Sequence, residues 1–127
     1  MQIRRVLYID DDEDLLSLVS MVLEACAGWE VVTATEGIEG IVLARARQPD
    51  VILLDASMPD MDGITTLTHL REHDRTATIP VVFVTGCAVD LAPGDARGPV
   101  GIIAKPFDPM TLAARIEDVV TKLRALC

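Results

Sequence analysis

The residues of this 127-residue chain that could do chemistry lie directly after short apolar runs. They are three carboxylates, a hydroxyl and an ammonium group, and most of them are far apart in the sequence. If they converge, the carboxylates cannot all stay ionised without a counter-charge. Either a raised pKa keeps one of them protonated, or a bound cation supplies the counter-charge. The candidate residues are Asp10, Asp11, Asp55, Thr85 and Lys105.

An all-oxygen set of this kind suits Mg²⁺, which binds through one or two carboxylates, water and a substrate phosphate. An Asp carboxylate can also attack phosphorus and form an acyl phosphate, and Asp55 is the candidate nucleophile. Lys105 would pair with one oxygen of the transferred group, and Thr85 would suit another. The residue types therefore predict metal-assisted phosphoryl transfer onto Asp55.

The segments that carry these residues alternate apolar runs with stretches of helical period. The continuous apolar run Val51–Leu54 is typical of a strand buried on both faces. Repeated β-α units predict an α/β domain with a parallel sheet and helices on both faces. Because ligands bind at the carboxyl ends of such strands, we expect the candidate residues to share one cleft. The predicted strands cover residues 5–9, 30–34, 51–54, 81–84 and 100–104.

Helices are predicted where apolar residues recur three or four positions apart. The first has an acidic first turn and ends at Gly28, the second ends before Pro49, and the last is capped by Asp108. Residues 86–99 contain two Gly beyond Gly86 and two Pro, so a helix there is expected to be short or irregular. The inward-facing residues are expected to be Leu15, Leu18, Val19, Val22, Leu23, Ile38, Ile41, Val42, Ile64, Leu67, Leu70, Leu112, Ile116, Val119, Val120 and Leu123.

Composition narrows the classes of protein. Eleven Lys and Arg against 20 Asp and Glu give a formal net charge of −9, which disfavours direct binding to nucleic acid or to an anionic membrane. With no export signal and no long apolar run, the chain is expected to be cytoplasmic and not inserted in a membrane. Cys26, Cys87 and Cys127 show no pairing pattern and are expected to be reduced. Residues 1–127 are expected to form one domain.

Five stretches together resemble the receiver domain of bacterial two-component response regulators, including the chemotaxis-regulator type, along essentially the whole chain. Each stretch is a weak signal alone, but their order is specific. They are residues 6–14 (VLYIDDDED), 49–55 (PDVILLD), 58–63 (MPDMDG), 80–86 (PVVFVTG) and 104–107 (AKPF).

The resemblance implies a flavodoxin-like fold with strand order 2-1-3-4-5 and a signalling switch with no output domain in this chain. Asp55 would accept a phosphoryl group from a phosphohistidine of a sensor histidine kinase or a histidine phosphotransfer protein. Phosphorylation would change binding to a downstream protein, and a homodimer is compatible with this role. The resemblance also implies that the Lys105–Pro106 bond is cis. Mg²⁺ or Mn²⁺ would be bound by Asp10, Asp11, Asp55 and the backbone carbonyl of Ser57.

The sequence departs from the family pattern in the parts that read out and remove the phosphoryl group. Ile102 occupies the position, three before the lysine, that usually carries a switching aromatic residue. The interval from Thr85 to Lys105 is also shorter than usual. Ser57 and Cys87 are neither acids nor amides that position water. We therefore expect a regulatory phosphoacceptor, not a turnover enzyme, which catalyses its own phosphorylation and only slow autodephosphorylation.

Two other functions stay open. A haloacid-dehalogenase-type phosphatase also forms an aspartyl phosphate with Mg²⁺, and its Asp-x-Asp signature is present at Asp10 and Asp12, although Asp55 would then have no role. A phosphorylation-independent, receiver-like binding module is the second alternative. The complete set of three Asp, Thr85 and Lys105 argues against it, whereas Ile102 and the altered fourth-helix region keep it open.

Four further residues are interpreted as structural. His69 and His73 are four apart on a predicted helix, but no third ligand completes a metal site, so a solvated helix face is expected. Tyr8 and Trp29 are expected to be packing residues.

Overall fold

The computed structural model describes residues 2–56, 58, 62–86 and 99–125, with side chains as far as residue 122. Five strands and four helices are assigned within these residues. The short helix expected in residues 86–99 falls almost entirely on residues outside the described ranges. The strands are β1 (Arg5–Ile9), β2 (Glu30–Ala34), β3 (Val51–Leu54), β4 (Val81–Thr85) and β5 (Gly101–Ala104), and the helices are α1 (Glu13–Ala27), α2 (Gly37–Arg47), α3 (Gly63–Glu72) and α4 (Pro109–Ala125).

The strands form one parallel sheet in the order β2-β1-β3-β4-β5, which confirms the predicted flavodoxin-like topology. Every residue of β3 and β4 is buried, whereas β5 at the edge alternates between buried and exposed residues. One core lies between the sheet and helices α1 and α4, and a second lies between the sheet and helices α2 and α3. Both faces of the sheet are therefore covered, as a buried parallel sheet requires.

The predicted helix ends are confirmed where capping residues define them. Gly28 follows α1 in the left-handed conformation, with φ of 71°, and its N–H donates to the Glu24 carbonyl. The side chain of Asp12 accepts a hydrogen bond from the Leu15 N–H and caps the start of α1. Asp108 accepts from the Met110 N–H at the start of α4, at 2.9 Å.

The predicted inward faces of three helices are partly wrong. Four apolar residues that were expected inside are exposed, and on α2 the buried positions are instead held by the small residues Gly37, Gly40 and Ala44. Helix α2 approaches β1 through Gly40, where a Cβ atom would lie 2.3 Å from Cδ1 of Ile9. The spacing of large apolar residues does not reveal such a helix face, because close packing of the helix on the sheet requires small residues there. The exposed residues are Leu18, Ile38, Val42 and Ile64.

Candidate functional site

The parallel register brings the ends of β1 and β3 side by side. Ile9 is paired with Leu54, so Asp10 and Asp55 are the next residues of adjacent strands. The Asp55 N–H donates to the Ile9 carbonyl at 2.9 Å, which continues the ladder one step beyond the strands. The sequence prediction that Asp10 and Asp55 share one sheet edge agrees with this geometry.

The other two candidate residues follow the same rule. Thr85 is paired with Ala104, and the Lys105 N–H donates to the Thr85 carbonyl at 2.9 Å. Strand β4 ends at Thr85, one residue later than the predicted end at residue 84, and Thr85 is buried. The Lys105–Pro106 peptide bond is cis, as the resemblance implied.

Three carboxylates form a compact acid cluster, which we define as Asp10, Asp11 and Asp55. One oxygen from each lies within 4.8 Å of the others. Asp10 is fully buried and Asp55 is 4% exposed, while Asp11 is exposed. Two buried carboxylates and one accessible carboxylate, all with oxygen ligands, fit a hard divalent cation that keeps part of its water shell.

Lys105 is the cation that the fold itself supplies to this cluster. Its Nζ lies 2.7 Å from Oδ2 of Asp10 and 3.3 Å from Oδ2 of Asp55. Burial lowers the pKa of the ammonium, but the hydrogen bond and charge of Asp10, with a contribution from Asp55, outweigh it and leave the pKa above its usual value. Lys105 therefore remains charged in the cleft and offsets part of the negative charge there.

The two carboxylates after β1 differ in their electrostatics. Burial raises the pKa of Asp10, but hydrogen bonds from Lys105, Tyr8 and the Asp12 N–H outweigh it, so the pKa lies below the usual range. Burial and the charges of Asp10 and Asp55 raise the pKa of Asp11. Of these two residues, Asp11 is therefore the one whose charged form its surroundings disfavour.

Tyr8 is a site residue that the sequence interpretation missed. Its hydroxyl donates to Oδ2 of Asp10 at 2.7 Å, although the residue was expected only to pack. Burial, followed by the hydrogen bond and charge of Asp10, raises the pKa of the phenol, so it stays protonated. The available signal was its spacing, because residues two apart on a strand point to the same face.

The chain after β3 is fixed close to the start of α3. The Gly63 N–H donates to the Ala56 carbonyl at 3.0 Å, and a Cβ at Gly63 would lie 2.5 Å from the Ala56 Cα. Only glycine permits this approach, which holds the residue after Asp55 against the helix. Ser57, whose carbonyl the resemblance implied as a metal ligand, and Cys87 both lie outside the described residues.

The remaining predictions concern residues away from the cluster. Ile102 is 48% exposed on β5. His69 is exposed, with Nδ1 3.9 Å from Glu72, and Nδ1 of His73 accepts a hydrogen bond from the Arg75 N–H. Within the described part of the chain, the acid cluster is the group of side chains with the spacing of a metal site. Trp29 packs in the core, as expected.

The geometry agrees with comparisons against known proteins. A family model described as the response regulator receiver domain matches residues 6–117. The chain belongs to the response regulator receiver domain family. This receiver domain is 32% identical to the chemotaxis response regulator CheY4 of Vibrio cholerae, with a TM-score of 0.81 and coverage of 93% of this chain and 99% of CheY4.

Longer relatives contain a similar segment. The receiver domain is 41% identical over 124 residues to the DNA-binding dual master transcriptional regulator RpaA of Synechocystis. The matched segment covers 96% of this chain and 48% of RpaA. It is 34% identical over 118 residues to the transcriptional regulatory protein PrrA of Mycobacterium tuberculosis, which covers 93% of this chain and 50% of PrrA. The chain thus spans about half the length of these curated relatives.

The family assignment identifies a signalling domain of two-component response regulators. It favours the receiver interpretation over the haloacid-dehalogenase-type phosphatase. No helix in the described ranges has both the length and the apolar character needed to cross a membrane.

Proposed function

We propose that this domain is a phosphorylation-dependent switch that carries its phosphoryl group on Asp55. The observation that carries the proposal is the position of Asp55, a buried carboxylate at the end of a central strand. Two further carboxylates, Asp10 and Asp11, lie beside it, and the Lys105 ammonium is 3.3 Å away. A buried Asp surrounded by these groups is suited to hold an acyl phosphate.

In the proposed reaction, an oxygen of Asp55 attacks the phosphorus of a phosphohistidine. The new O–P bond forms as the P–N bond to the donor imidazole breaks, and the imidazole leaves with the electron pair and takes up a proton. Lys105 then pairs with an oxygen of the phosphoryl group, and the Thr85 hydroxyl donates to another. The donor is a sensor histidine kinase or a histidine phosphotransfer protein.

The residues present fit a divalent cation, Mg²⁺ or Mn²⁺, as the cofactor of this transfer. Asp10, Asp11 and Asp55 would hold it, together with the Ser57 carbonyl, which lies outside the described residues. When bound, such an ion neutralises negative charge on the transferring group. Asp10 and Asp11 themselves contribute oxygens whose separation is within 4.8 Å, which suits a single ion between them.

Further parts of the proposal concern the whole protein. Residues 1–127 act as one receiver unit in the bacterial cytoplasm, and phosphorylation alters a surface that binds a downstream protein or a second copy of the domain. The net charge of −9 argues against direct binding of nucleic acid by this domain. The domain catalyses its own phosphoryl transfer and loses the group slowly.

The direct test is to identify the labelled aspartate. The domain is incubated with acetyl phosphate and Mg²⁺, and the phosphorylated residue is located by mass spectrometry. We expect label on Asp55, loss of label in Asp55→Asn, and full labelling in the control Asp118→Asn, which changes an exposed carboxylate on α4. Asp10→Asn should slow labelling while leaving its location at Asp55.

Two results would overturn the proposal in different ways. Label on Asp10 that persists in Asp55→Asn would support the phosphatase alternative. If the parent domain takes no label, a titration with beryllofluoride and Mg²⁺, followed by NMR, decides between a wrong donor and an inert domain. No saturable change that depends on Asp55 would support the phosphorylation-independent binding module.

A further inference from the structure

Tyr8 is buried directly below the acid cluster. Its side chain is fully inaccessible to solvent and packs in the core that β1 shares with α1 and α4. Tyr8 lies in β1, and Asp10 is the first residue after the strand. The Asp10 N–H donates to the Ala34 carbonyl at 3.0 Å and continues the ladder, so the two side chains, two positions apart, point to the same face. This arrangement brings the phenol hydroxyl to 2.7 Å from Oδ2 of Asp10.

Three donors hold the Asp10 carboxylate from three directions. Oδ2 accepts from the Tyr8 hydroxyl and from Nζ of Lys105, both at 2.7 Å, and Oδ1 accepts from the Asp12 N–H at 3.0 Å. Lys105 also contacts Asp55 and is partly exposed, so its position depends on the charges around it. The phenol is neutral and enclosed, so of the two side-chain donors it is the one whose position does not depend on what enters the cleft.

An apolar side chain would fill the same space in the core without a polar group to satisfy. A buried Tyr instead requires a partner for its hydroxyl, and here the partner is a carboxylate of the proposed cation site. Every buried side-chain nitrogen and oxygen atom in the described part of the chain has a hydrogen-bond partner. The bond therefore couples the packing of the α1–α4 core to the orientation of a cation ligand.

We propose that Tyr8 is a positioning residue for the cation site, and that its hydroxyl fixes the Asp10 carboxylate in the orientation that faces Asp11 and Asp55. This inference rests on the proposed function, because it assumes that Asp10 is a ligand of the divalent cation. Without the hydroxyl, Oδ2 is held by Lys105 alone, and the carboxylate can turn toward the ammonium and away from the cluster. Partners of this kind behind a metal ligand typically change metal affinity by roughly 10–100-fold when they are removed.

The test compares Tyr8→Phe with the parent domain, because Phe keeps the ring and removes only the hydroxyl. Mg²⁺ affinity is measured by isothermal titration calorimetry, and the labelling rate with acetyl phosphate is measured as a function of Mg²⁺. We expect the Mg²⁺ dissociation constant to rise roughly tenfold. The labelling rate at saturating Mg²⁺ should be unchanged, because Asp55 and Lys105 are intact.

Thr76→Val is the matched control for the loss of a buried hydroxyl. Thr76 is fully buried, and its hydroxyl donates to the Leu70 carbonyl at 2.6 Å, away from the cluster. Its loss should lower the urea midpoint without changing Mg²⁺ affinity. The pair Asp10→Ala and Tyr8→Phe/Asp10→Ala completes a double-mutant cycle, in which removal of the hydroxyl should no longer affect Mg²⁺ affinity, because Ala leaves no acceptor at position 10.

Each outcome has a distinct meaning. If parent and Tyr8→Phe bind Mg²⁺ equally, the positioning role of Tyr8 is refuted while the proposed function stands. If Tyr8→Phe does not fold, the cycle is repeated with Tyr8→Leu and Tyr8→Met, which also lack a donor, and equal Mg²⁺ affinities in the folded variant and the parent refute the role. If the parent itself binds no Mg²⁺, the proposed cation site fails, and with it this inference.

Discussion

Replacing Lys105 with Met tests whether this ammonium holds the acid cluster together in the absence of a metal. Its Nζ lies 2.7 Å from Asp10 and 3.3 Å from Asp55. With an effective dielectric constant of about 20, these distances correspond to gross attractions of roughly 6 and 5 kcal/mol. Desolvation of the three groups offsets most of this attraction. Met retains the apolar stem of the side chain and removes the charge.

The net effect is set by what remains after the ammonium is lost. Removing one partner from a buried ion pair typically costs about 3–5 kcal/mol, because an uncompensated charge stays behind. The Lys105 side chain is 23% exposed, so water enters its end of the cleft and the lower limit applies. We therefore expect Lys105→Met to lower the free energy of unfolding by about 3 kcal/mol in metal-free, low-salt buffer. That is a large fraction of the roughly 5–15 kcal/mol that stabilises a typical domain.

Urea unfolding monitored by Trp29 fluorescence and by circular dichroism measures this change. Trp29 is the single Trp and is buried, so its emission reports on loss of the core. Lys122→Met is the matched control, because Lys122 pairs with Asp118 at 3.0 Å on the exposed face of α4. Both variants lose one Lys, and the control should change the free energy of unfolding by no more than about 0.5 kcal/mol.

Addition of Mg²⁺ provides a second measurement on the same two variants. Mg²⁺ should reduce the difference in the free energy of unfolding between Lys105→Met and the parent, because the variant gains a missing counter-charge while the parent already has one. The gap for Lys122→Met should not respond. If Lys105→Met is as stable as Lys122→Met without metal, or if its gap is independent of Mg²⁺, the view of Lys105 as an internal counter-ion is wrong.

Other predictions follow from single contacts. Asp62 caps α3 by accepting from the Thr65 N–H, which lowers its pKa, so Asp62→Ala should cost about 1 kcal/mol at pH 7. Because the folded-state pKa is depressed, the contribution of the charged cap to the free energy of unfolding is complete above about pH 4 and is lost as the pH falls through the folded-state pKa. Urea titrations of Asp62→Ala and Asp62→Asn at several pH values will show this loss. Gly63→Ala places a Cβ 2.5 Å from the Ala56 Cα, so calorimetry should show a lower melting temperature, and an unchanged value would refute the close approach. Ile102→Ser, at a half-exposed position, should shift the free energy of unfolding by at most about 0.5 kcal/mol.

The strands and their order could be predicted because buried parallel strands leave a plain pattern. The run Val51–Leu54 is continuous, and it was found as a strand with the same bounds. Helix faces were harder, since apolar residues also occur on exposed surface. On α2 the buried contacts come from Gly37, Gly40 and Ala44, which periodicity of large side chains does not detect. The end of α2 was still predicted closely, because Pro49 disfavours the helical conformation in the residue before it, and the helix ends at Arg47.

The members of the acid cluster could be predicted because topology alone forces strand ends together. Asp10 and Asp55 needed only the register of β1 and β3, which follows from their apolar bounds. The partner of the Asp10 carboxylate could not be predicted in the same way. The spacing of Tyr8 and Asp10 places both side chains on one face of the sheet, but whether the hydroxyl reaches the carboxylate depends on how α1 and α4 pack against the ring.

The charges of the cluster give a reason why phosphorylation should require a divalent cation. Three carboxylates and the single ammonium of Lys105 leave two negative charges, and an incoming phosphoryl group brings more. Lys105 pairs with Asp10 and Asp55, so the excess negative charge lies on the side of the exposed Asp11 carboxylate. Burial and the charges of Asp10 and Asp55 raise the pKa of Asp11. A divalent ion on that side matches the charge, whereas monovalent salt only screens it. Labelling of Asp55 should therefore depend on Mg²⁺ or Mn²⁺ at constant ionic strength, and equal labelling in KCl alone would show that Lys105 is a sufficient counter-charge.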